Sequence, residues 1–346
     1  MTRCFLPEWE HQEGILMALP DEHTDWDYIL DEARDQYHRI IKTFTAEGCR
    51  VLLLCRDRKG AMQLLSDCDS SLISFIEAEY NDTWTRDYGP LAVKKDERLY
   101  SLDFGFNGWG LKFAADKDNL VNLFLADSRI LSEGSYRNNR DFVLEGGSVE
   151  TDGSGTLLTT SRCLCSPNRN GQKSKEALND ILGERLGVNH ILWLDYGALE
   201  GDDTDSHIDT LARLAPCDTI LFTGCRDVDD PQFEDLLKMR AQLTLFRTAE
   251  GDPFNLVELP LPSPVLSPEG ERLPATYANF LVTDSVVFMP TYAQPENDLL
   301  AMQMVKVAYP AHKVVGIECL TLLRQHGSLH CATMQLYPGQ TDIQTV

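Results

Sequence analysis

The sequence predicts an α/β protein whose structural units recur along the chain. Apolar runs with the length of buried strands alternate with amphipathic helices, a pattern typical of α/β architectures. Three of the strands are each followed, about ten residues on, by a polar cluster that leads into a further strand. These clusters carry acidic, imidazole and thiol groups, so strand ends that converge on one axis would bring them into one pocket.

The first elements follow from capping signals and apolar spacing. Asp25 is the predicted N-cap of a helix whose apolar residues recur at helical intervals from Trp26 to Phe44. Gly48 is expected to end this helix, because glycine adopts the backbone conformation that follows a helix C-terminus. The apolar run at 51–55 then predicts a buried strand.

The later elements repeat this alternation. A helix is predicted over 174–186, with Ala177 and Leu178 on its apolar face and Gly187 as its C-cap. A strand is predicted over 190–196. The remaining predicted elements are helices around 233–243 and 299–307 and a strand over 314–319.

We predict a single domain that spans residues 1–346, because no linker divides the sequence. The most linker-like stretch, 260–274, is rich in proline, but a clear apolar strand follows it. We interpret it as a surface loop inside the domain. A chain of this length can bury a large core.

Composition excludes several classes of function. The chain has 54 acidic and 31 basic residues and a net charge of −23, which disfavours binding to nucleic acids and to anionic membranes. No apolar run is long enough to span a membrane, and no signal peptide is recognisable. The ten cysteines are expected to be reduced thiols in a cytoplasmic protein. The Cys163-x-Cys165 pair lacks the second ligand pair that a zinc site would require.

Cys331 and His207 are the sharpest candidates for catalysis. Cys331 lies in a predicted turn that enters a strand, where a small buried hydrophobic residue would be the alternative interpretation. His207 is flanked by four carboxylates, which would raise its pKa and favour imidazolium. An incidental histidine in a solvated acidic loop is the alternative there.

Further acidic and aromatic residues suit a planar cation. Asp87 lies beside an aromatic residue, Trp109 lies in a glycine-rich loop, and Glu145 ends a predicted strand before two glycines. Each of these residues could be purely structural. Together they offer aromatic walls and acidic groups, which are the groups that bind a guanidinium.

Five ordered motifs resemble the agmatine deiminase and bacterial-type peptidylarginine deiminase family of guanidino-modifying enzymes. The motifs are WTRDYGP, FGFNGWG, LEGGSVE, GDDTDSHID and GSLHCATMQ, which run from residue 84 to residue 335. The segment PEWEHQEGILMALP also resembles the start of the family. The resemblance implies a five-bladed α/β propeller, or pentein fold, with pseudo-fivefold symmetry and the active site on its axis. Each module would contain roughly 70 residues.

The resemblance also implies a role for each matching residue. Cys331 would be the nucleophile and His207 the general acid and base. Asp87 and Asp209 would bind the guanidinium, and Glu145 would pair with it or orient His207. Further substrate contacts would come from Trp84, Asn107, Trp109 and Asp203. The family needs no metal ion and no organic cofactor.

The implied reaction converts a guanidino group into a ureido group and releases ammonia. The thiolate of Cys331 would attack the guanidinium carbon, and His207 would protonate the leaving nitrogen and then activate water against a covalent thiouronium. The expected substrate is agmatine, a small cationic guanidino compound, and the product N-carbamoylputrescine leads to putrescine. Arginine in peptides is the alternative substrate, and amidine transfer to a second amine is a further possibility.

Charge favours agmatine over arginine. Agmatine has an amine and no carboxylate at its far end, and Asp202, Asp203 and Asp205 could receive that amine. The carboxylate of arginine would require a cationic partner. The cations near the motifs are Arg86, Lys112 and Arg213.

Alternatives of other classes stay open from the sequence. A non-catalytic binder of cationic metabolites would keep the acidic pocket, although the thiol and the imidazole of an enzyme are both present. A metal-dependent hydrolase would use His207, Asp209 and Asp203 as ligands. A homo-oligomer is compatible with the sequence.

Two positions depart from the usual wording of the family. Ser206 stands where glycine often precedes the histidine, and residues 326–329 (HGSL) replace a more glycine-rich run before His-Cys. The chemistry is expected to survive both changes.

Overall fold

A computed structural model of the protein describes residues 3–342 and has an α/β architecture with mixed sheets. The strands are β1 (Arg3–Phe5), β2 (Gly14–Ala18), β3 (Val51–Cys55), β4 (Ile73–Glu77), β5 (Leu91–Lys95), β6 (Arg98–Gly105), β7 (Tyr136–Val143), β8 (Val149–Thr151), β9 (Thr156–Thr160), β10 (His190–Leu194), β11 (Ala212–Ala215), β12 (Thr219–Thr223), β13 (Asn255–Leu259), β14 (Val265–Leu266), β15 (Arg272–Leu273), β16 (Leu281–Val282), β17 (Val286–Thr291), β18 (Lys313–Glu318) and β19 (Met334–Leu336).

Helices connect the strands and cover the sheets. They are α1 (Leu30–Ala46), α2 (Arg58–Leu64), α3 (Thr85–Tyr88), α4 (Gly108–Leu111), α5 (Val121–Asp127), α6 (Ser161–Leu164), α7 (Pro167–Asn170), α8 (Lys175–Leu186), α9 (Phe233–Leu243), α10 (Pro295–Ala308) and α11 (Leu320–Leu323). Among the described residues, no helix combines the length and the apolar character that a membrane span requires.

Five sheets share one pattern of three strands. In each sheet the first two strands are antiparallel neighbours, and the third strand lies parallel to the second. The five sets are β5–β6–β7, β8–β9–β10, β11–β12–β13, β16–β17–β18 and β19–β2–β3. In the last set β19 pairs with β2, so one sheet joins the two ends of the described chain.

Outer strands and a separate hairpin complete the sheets. β1 adds to the first set beside β5, and β4 adds to the last set beside β3. β14 and β15 form the hairpin within 260–274, so the prediction of a plain loop there was wrong in this detail. The apolar runs of the central strands follow from this topology, because a parallel strand covered on both faces has no side that water reaches. All five residues of β3 are buried.

The first helix begins later than the sequence predicted. A 3-10 turn at Asp27–Ile29 precedes α1, and Asp25 does not cap the helix, because Ile29 occupies the N-cap position. The tertiary structure explains the shift. Trp26 is fully buried and donates a hydrogen bond from Nε1 to Oγ1 of Thr83 at 2.8 Å, which fixes the chain ahead of the helix.

The second predicted helix has the expected ends. The hydroxyl of Ser174 accepts a hydrogen bond from the backbone N–H of Ala177, and Gly187 has the left-handed φ of 82° expected of a C-cap. Ala177 itself is exposed, so its predicted place on the apolar face was wrong, whereas Leu178 is buried. The strand that follows ends at Leu194, two residues earlier than predicted.

The core holds the cysteines that the sequence placed in strands. Cys55 and Cys319 are both at most 1% exposed and lie in the main hydrophobic cluster. All ten cysteines lie within the described residues, and none of them forms a disulfide bond.

Removing a core side chain from β3 should destabilise the protein. Leu53 is 0% exposed and lies between Met17 and Phe75 on the neighbouring strands. We expect Leu53→Ala to lower the free energy of unfolding by about 2–5 kcal/mol, because the cavity left behind cannot fully collapse. Urea denaturation measures this. Leu237→Ala is the control, since Leu237 is 50% exposed and should change the value by less than about 0.5 kcal/mol.

Candidate active site

Chemically active side chains precede the first strand of each three-stranded set. They lie on the short segments that lead into these strands, so each set contributes at the same position of its fold. They are Asp87 before β5, Glu145 before β8, His207 and Asp209 before β11, Asn279 before β16, and Cys331 before β19. All of them are buried.

The backbone of Gly147 marks where three of these side chains meet. A Cβ built on this glycine would lie 2.8 Å from Oδ1 of Asp87, 2.8 Å from Nδ1 of His207 and 3.0 Å from Oδ2 of Asp209. Real Cβ contacts are not this short, so only glycine lets the three side chains approach one another. Residues that are 122 positions apart in the sequence (209 − 87) therefore surround a single point.

A cavity of about 450 Å³ opens onto this group. Its aromatic lining residues are Tyr28, Trp84, Trp109 and Phe113. Its charged lining residues are Asp25, Asp82, Asp87, Asp203, Arg324 and His326. Cys331 also lines it, so the cavity combines a thiol, aromatic walls and an excess of carboxylates.

A larger cavity of about 780 Å³ lies elsewhere, at the ends of β2 and β3. Its most buried charged groups already pair with one another. Arg56 binds both oxygens of Asp21 and also lies over the ring of Tyr80 at 4.5 Å. The smaller cavity is therefore the candidate active site, because Cys331, Asp87 and Asp203 line it and the most buried charged groups of the larger cavity are already paired.

The surroundings of Cys331 hold it as a neutral thiol. It is 7% exposed, and its Sγ lies 3.8 Å from Oδ2 of Asp209 and 3.3 Å from Nδ2 of Asn279. Burial raises the pKa of Cys331 well above its usual range, and the Asp209 and Asp87 carboxylates raise it further. A cation that neutralised these carboxylates would favour the thiolate.

His207 is cationic in the same surroundings. It is 1% exposed, and its Nδ1 lies 3.5 Å from Oδ1 of Asp87. Burial alone would lower the pKa of His207, but Asp87, Cys163 and Glu145 together outweigh burial and raise the pKa well above the usual range. Within residues 3–342 neither ring nitrogen makes a hydrogen bond with an oxygen or nitrogen partner, which leaves this imidazole free to exchange a proton with a bound molecule.

Asp87 and Asp209 differ in how their oxygens are used. Oδ1 of Asp87 accepts from the backbone N–H of Gly147 at 2.9 Å, and Oδ2 accepts from Nε1 of Trp109 at 2.9 Å. Burial raises the pKa of Asp87, and His207 opposes that rise. Oδ2 of Asp209 accepts from Nδ1 of His330 at 2.7 Å. Burial alone would raise the pKa of Asp209, but the hydrogen bond and charge of His330, together with His207 and Arg213, outweigh burial and lower the pKa.

One carboxylate oxygen in this group has no partner. Oδ1 of Asp209 is buried and makes no hydrogen bond with any described residue. A buried ionised oxygen without a donor is costly. It is therefore an acceptor that a bound cation with N–H donors would satisfy.

Glu145 already has a cationic partner. Its two oxygens accept from Nε of Arg169 at 2.9 and 3.0 Å, and both side chains are 0% exposed. Arg169 also binds Asp205 at 2.6 Å. Sequence reasoning missed Arg169, because its partners lie 24 and 36 positions away and no local pattern marks it. Glu145 stays near His207 and Cys163, so orienting His207 is the role that this geometry allows most directly.

The two tryptophans line the cavity, but Asn107 does not. Oδ1 of Asn107 accepts from the backbone N–H of Gly110 at 3.0 Å, and Nδ2 donates to the carbonyl of Asn168 at 2.8 Å. The expectation that Asn107 forms the wall is therefore corrected. Its side chain instead fixes the turn that carries Trp109, whose φ of 54° lies in the left-handed region.

The acidic loop offers one free carboxylate to the cavity. Burial and the nearby Asp202 raise the pKa of Asp203 to about 6. The side chain of Asp202 accepts hydrogen bonds from the hydroxyl of Thr204 and the backbone N–H of Ser206, so it stabilises the acidic loop. Asp205 pairs with Lys112 at 2.8 Å and with Arg169. Of the three aspartates that the sequence offered for an amine, Asp203 alone lines the cavity.

The cations near the cavity differ from those that the sequence suggested. Arg86 and Arg213 both pair with the carboxylate of Glu8 and are at most 6% exposed, and Lys112 pairs with Asp205. Arg324 was not anticipated, yet it lines the cavity, and its ion pair with Glu32 spans 3.9 Å.

The two departures from the family wording occupy left-handed backbone positions. Ser206 has a φ of 65° and His326 a φ of 63°, and glycine adopts such angles without steric cost. Gly327 is retained, because a Cβ there would lie 2.3 Å from the ring of Trp84. Ser206 and His326 therefore adopt the left-handed backbone conformation that glycine would adopt at these positions without strain.

Three groups of potential metal ligands occur among the described residues. They are His38 with Asp67 and Cys68, Glu145 with Cys163 and His207, and Glu8 with Glu150 and His330. In the two buried groups an arginine already neutralises the carboxylates, namely Arg169 for Glu145 and Arg213 for Glu8 and Glu150. The set of His207, Asp209 and Asp203 is not among these groups.

Asn279 is the site residue that the sequence analysis missed. Its Nδ2 donates toward Sγ of Cys331 at 3.3 Å and toward Oδ2 of Asp209 at 3.3 Å. An amide side chain carries no charge, so sequence patterns of charged and nucleophilic residues do not single it out. The signal that could have found it is positional, because Asn279 precedes β16 as Cys331 precedes β19.

Comparison with known proteins agrees with this geometry. The chain matches the Porphyromonas-type peptidyl-arginine deiminase family over residues 4–337 and belongs to that family. A C. jejuni agmatine deiminase, solved as a cysteine-to-serine variant with substrate bound, is 37% identical, and the match covers 97% of each chain with a TM-score of 0.90. An agmatine deiminase of Enterococcus faecalis is 27% identical over 99% of this chain and 97% of its own, with a TM-score of 0.84.

A curated relative adds to this comparison. A protein of Marinomonas sp. strain MWYL1, provisionally named as an agmatine deiminase, is 31% identical over 98% of this chain and 95% of its own.

Adding a methyl group at Gly147 should disable the site and leave the fold intact. The new Cβ would push apart Asp87, His207 and Asp209 at distances of 2.8–3.0 Å. We expect Gly147→Ala to lower kcat/KM by at least about 10²-fold, as misplaced catalytic groups do. Steady-state kinetics measures this, and circular dichroism checks the fold. An unchanged rate would show that the three side chains need not meet at this point.

Proposed function

We propose that this protein is an agmatine deiminase, a hydrolase that acts on the C–N bond of a guanidino group. The observation that carries the proposal is the meeting of the Cys331 thiol with the carboxylates of Asp87 and Asp209 beside a cavity with aromatic walls. Two buried carboxylates beside a nucleophile suit a substrate that is a planar cation with several N–H donors.

The guanidinium would dock between the acids. The free Oδ1 of Asp209 and the carboxylate of Asp87 would accept its N–H groups, and Trp84 and Trp109 would cover its faces. This places the central carbon near Sγ of Cys331. The bound cation neutralises the carboxylates that raise the pKa of Cys331, so the thiolate forms when the substrate is present.

The reaction then proceeds in two halves. The thiolate adds to the guanidinium carbon, His207 gives its proton to one nitrogen, and ammonia leaves with the electrons of the broken C–N bond. Water attacks the thiouronium that remains on Cys331 and gives one proton to His207. The C–S bond then breaks with its electron pair on sulfur, the remaining hydroxyl proton passes to that sulfur, and the ureido product leaves. Glu145, held by Arg169, would keep His207 in place between these steps.

The pseudo-fivefold propeller belongs to the same proposal. The five three-stranded sets would be its blades, and the active site would lie on the common axis. Two observations support this, namely the repeated antiparallel-then-parallel strand order and the chemically active side chain that precedes the first strand of every set. The whole chain would then act as one catalytic domain.

Agmatine is the favoured substrate for two reasons. Relatives that align over nearly the whole chain carry the name agmatine deiminase. Asp203 also gives the cavity a carboxylate for the amine at the far end of agmatine. The product, N-carbamoylputrescine, would serve putrescine formation. We assign the protein to the cytoplasm, because its ten unpaired cysteines suit a compartment that keeps thiols reduced.

Peptidyl arginine is the second candidate substrate. The family description refers to peptidyl-arginine deiminases. Arg324 in the cavity lining could pair with the carboxylate of free arginine or of a C-terminal arginine. Asp203 opposes such a carboxylate by like-charge repulsion, which favours agmatine over these two substrates. An arginine inside a peptide has no α-carboxylate, so this repulsion does not act on it.

A substrate panel tests the assignment. We expect agmatine to give a ureido product and ammonia with a kcat/KM at least about tenfold above that for free arginine or a blocked arginine peptide. Cys331→Ala should abolish turnover, because Cys331 is the only cysteine among the described residues that line the cavity. Ammonia release and mass spectrometry of the product measure this. Comparable kcat/KM for agmatine and the peptide would overturn the preference, and turnover by Cys331→Ala would overturn the mechanism.

The raised pKa of Asp203 predicts a pH-dependent KM. Below about pH 6 Asp203 becomes neutral, so the KM for agmatine should rise by about tenfold as the pH falls through this value. Butylguanidine, which lacks the amine, is the control and should show no such rise beyond the effects that both substrates share. Asp203→Asn should remove the difference between the two substrates.

The same pKa fixes the sign of the effect on stability. An aspartate in the unfolded chain has a pKa of about 3.9. Between that value and about pH 6 the folded protein binds a proton that the unfolded chain does not, so stability falls as the pH rises through this window. Asp203→Asn should therefore raise Tm at pH 7, as measured by calorimetry.

A further inference from the structure

We propose that His330, backed by Glu8, is a positioning residue that aligns Asp209 for the guanidinium of the substrate. The inference rests on the proposed function, since it assigns Asp209 to substrate binding. It concerns groups that lie beneath the cavity and do not line it.

The chain of contacts begins at Asp209. Nδ1 of His330 donates to Oδ2 of Asp209 at 2.7 Å, and both side chains are 1% exposed. On the other edge of the ring, Nε2 contacts Oε1 of Glu8. The imidazole thus lies between two carboxylates, and only one of them, Asp209, adjoins the nucleophile.

The surroundings of Nε2 keep the proton on Nδ1 in either charge state. A protonated Nε2 donates to Glu8, whereas an unprotonated Nε2 accepts from Nη2 of Arg213, which lies 3.1 Å away. Both arrangements require Nδ1 to carry a hydrogen, because its neighbour is the acceptor oxygen of Asp209. The hydrogen bond to Asp209 therefore persists whichever partner Nε2 uses.

Glu8 is itself rigidly held. Oε2 of Glu8 forms an ion pair with Nη2 of Arg213 at 2.8 Å, and Oε1 lies 3.3 Å from Nη1 of Arg86. Arg213 also binds Glu150 at 2.5 Å. Burial alone would raise the pKa of Glu8, but Arg213 and then His330 outweigh burial and keep it well below its usual range. The carboxylate beneath the ring is thus a fixed anion.

The same network reaches the nucleophile. Nη1 of Arg213 donates to the carbonyls of Ala278 and Phe280, the two residues that flank Asn279. Oδ1 of Asn279 accepts from the backbone N–H groups of His330 at 2.9 Å and of Cys331 at 3.3 Å. His330 is therefore adjacent to the nucleophile in the chain and bonded to its neighbouring carboxylate in space.

The consequence for binding concerns the second oxygen of Asp209. Because His330 occupies Oδ2, the carboxylate cannot rotate freely, and Oδ1 remains without a partner among residues 3–342. An oriented, unpaired oxygen is prepared for a substrate N–H group. Without His330 the carboxylate could rotate out of this orientation or take up a proton, and the guanidinium would lose its aligned acceptor.

Paired substitutions test this role. Asparagine at position 330 can place its amide N–H near the position of Nδ1, whereas glutamine reaches the position of Nε2. We expect His330→Gln to raise the KM for agmatine about 10- to 100-fold, the scale of a lost hydrogen bond to a charged group, and to lower kcat less. His330→Asn should recover most of the KM. Glu8→Gln should raise KM by a smaller factor.

Matched controls separate positioning from general damage. His11→Asn and His11→Gln alter an exposed histidine whose Nδ1 also contacts an aspartate, Asp284. Glu10→Gln removes an exposed carboxylate beside the Glu8 segment. We expect all three controls to keep the wild-type KM. Thermal denaturation of every variant shows whether it folds.

A readout without substrate completes the test. Carbon-13 NMR of labelled aspartate carboxyls, assigned with Asp209→Asn, should report a higher pKa for Asp209 in His330→Gln than in the wild type or in His330→Asn. Equal KM values and equal Asp209 titrations in the Asn and Gln variants would overturn the inference. A wild-type protein that converts no guanidino substrate would instead contradict the proposed function, and the titration would still decide the role of His330.

Discussion

Buried negative charge is the constraint on which this site depends. Asp87, Glu145, Asp209 and Glu150 are all at most 5% exposed, and each must be matched by a cation or by hydrogen-bond donors. Away from the cavity, arginines form ion pairs with Glu145 and Glu150 and so compensate their charge. Beside the cavity the carboxylates are only partly paired, because Oδ1 of Asp209 has no donor within the described chain. The substrate completes what the protein leaves unpaired.

This incomplete compensation couples binding to chemistry. Asp209 and Asp87 raise the pKa of Cys331, which keeps its thiol protonated. A bound guanidinium would reverse that effect by neutralising the same carboxylates. Asp87 also raises the pKa of His207, so this imidazole holds the proton that the proposed mechanism gives to the leaving nitrogen. Under the proposed function, one pair of acids would therefore control the thiol, the imidazole and the selection of a cationic substrate.

Part of the backbone strain in the protein lies around the same cavity. Trp109, Ser206 and His326 all adopt left-handed φ angles between 54° and 65°, which cost side-chain-bearing residues free energy. Each is held by its surroundings. Asn107 fixes the turn of Trp109, and Nδ1 of His326 bonds the carbonyl of Gly201 at 2.7 Å. These left-handed positions orient the ring of Trp109, lead directly into His207 and form part of the cavity wall at His326.

The sequence by itself determined the local elements and the residue types of the site. Apolar periodicity predicted β3, α8 and α10, and the polar clusters before β5, β11 and β19 contain Asp87, His207 and Cys331. These features depend on neighbours within one turn or one strand, so they can be recognised from the sequence alone. The start of α1 was misplaced, since the burial of Trp26 against Thr83 is a contact across 57 positions.

The tertiary structure alone decided which charges are paired and which stay free. Arg169 reaches Glu145, His330 reaches Asp209 and Glu8, and Asn279 reaches Cys331 across 24 to 322 positions of the chain. Asn107 and Asp205, which the sequence offered as substrate contacts, serve the scaffold instead. A sequence shows that acids are abundant, but the energy of a buried charge depends on its distance from a partner. That distance is set only when the five sets of strands bring their leading segments together.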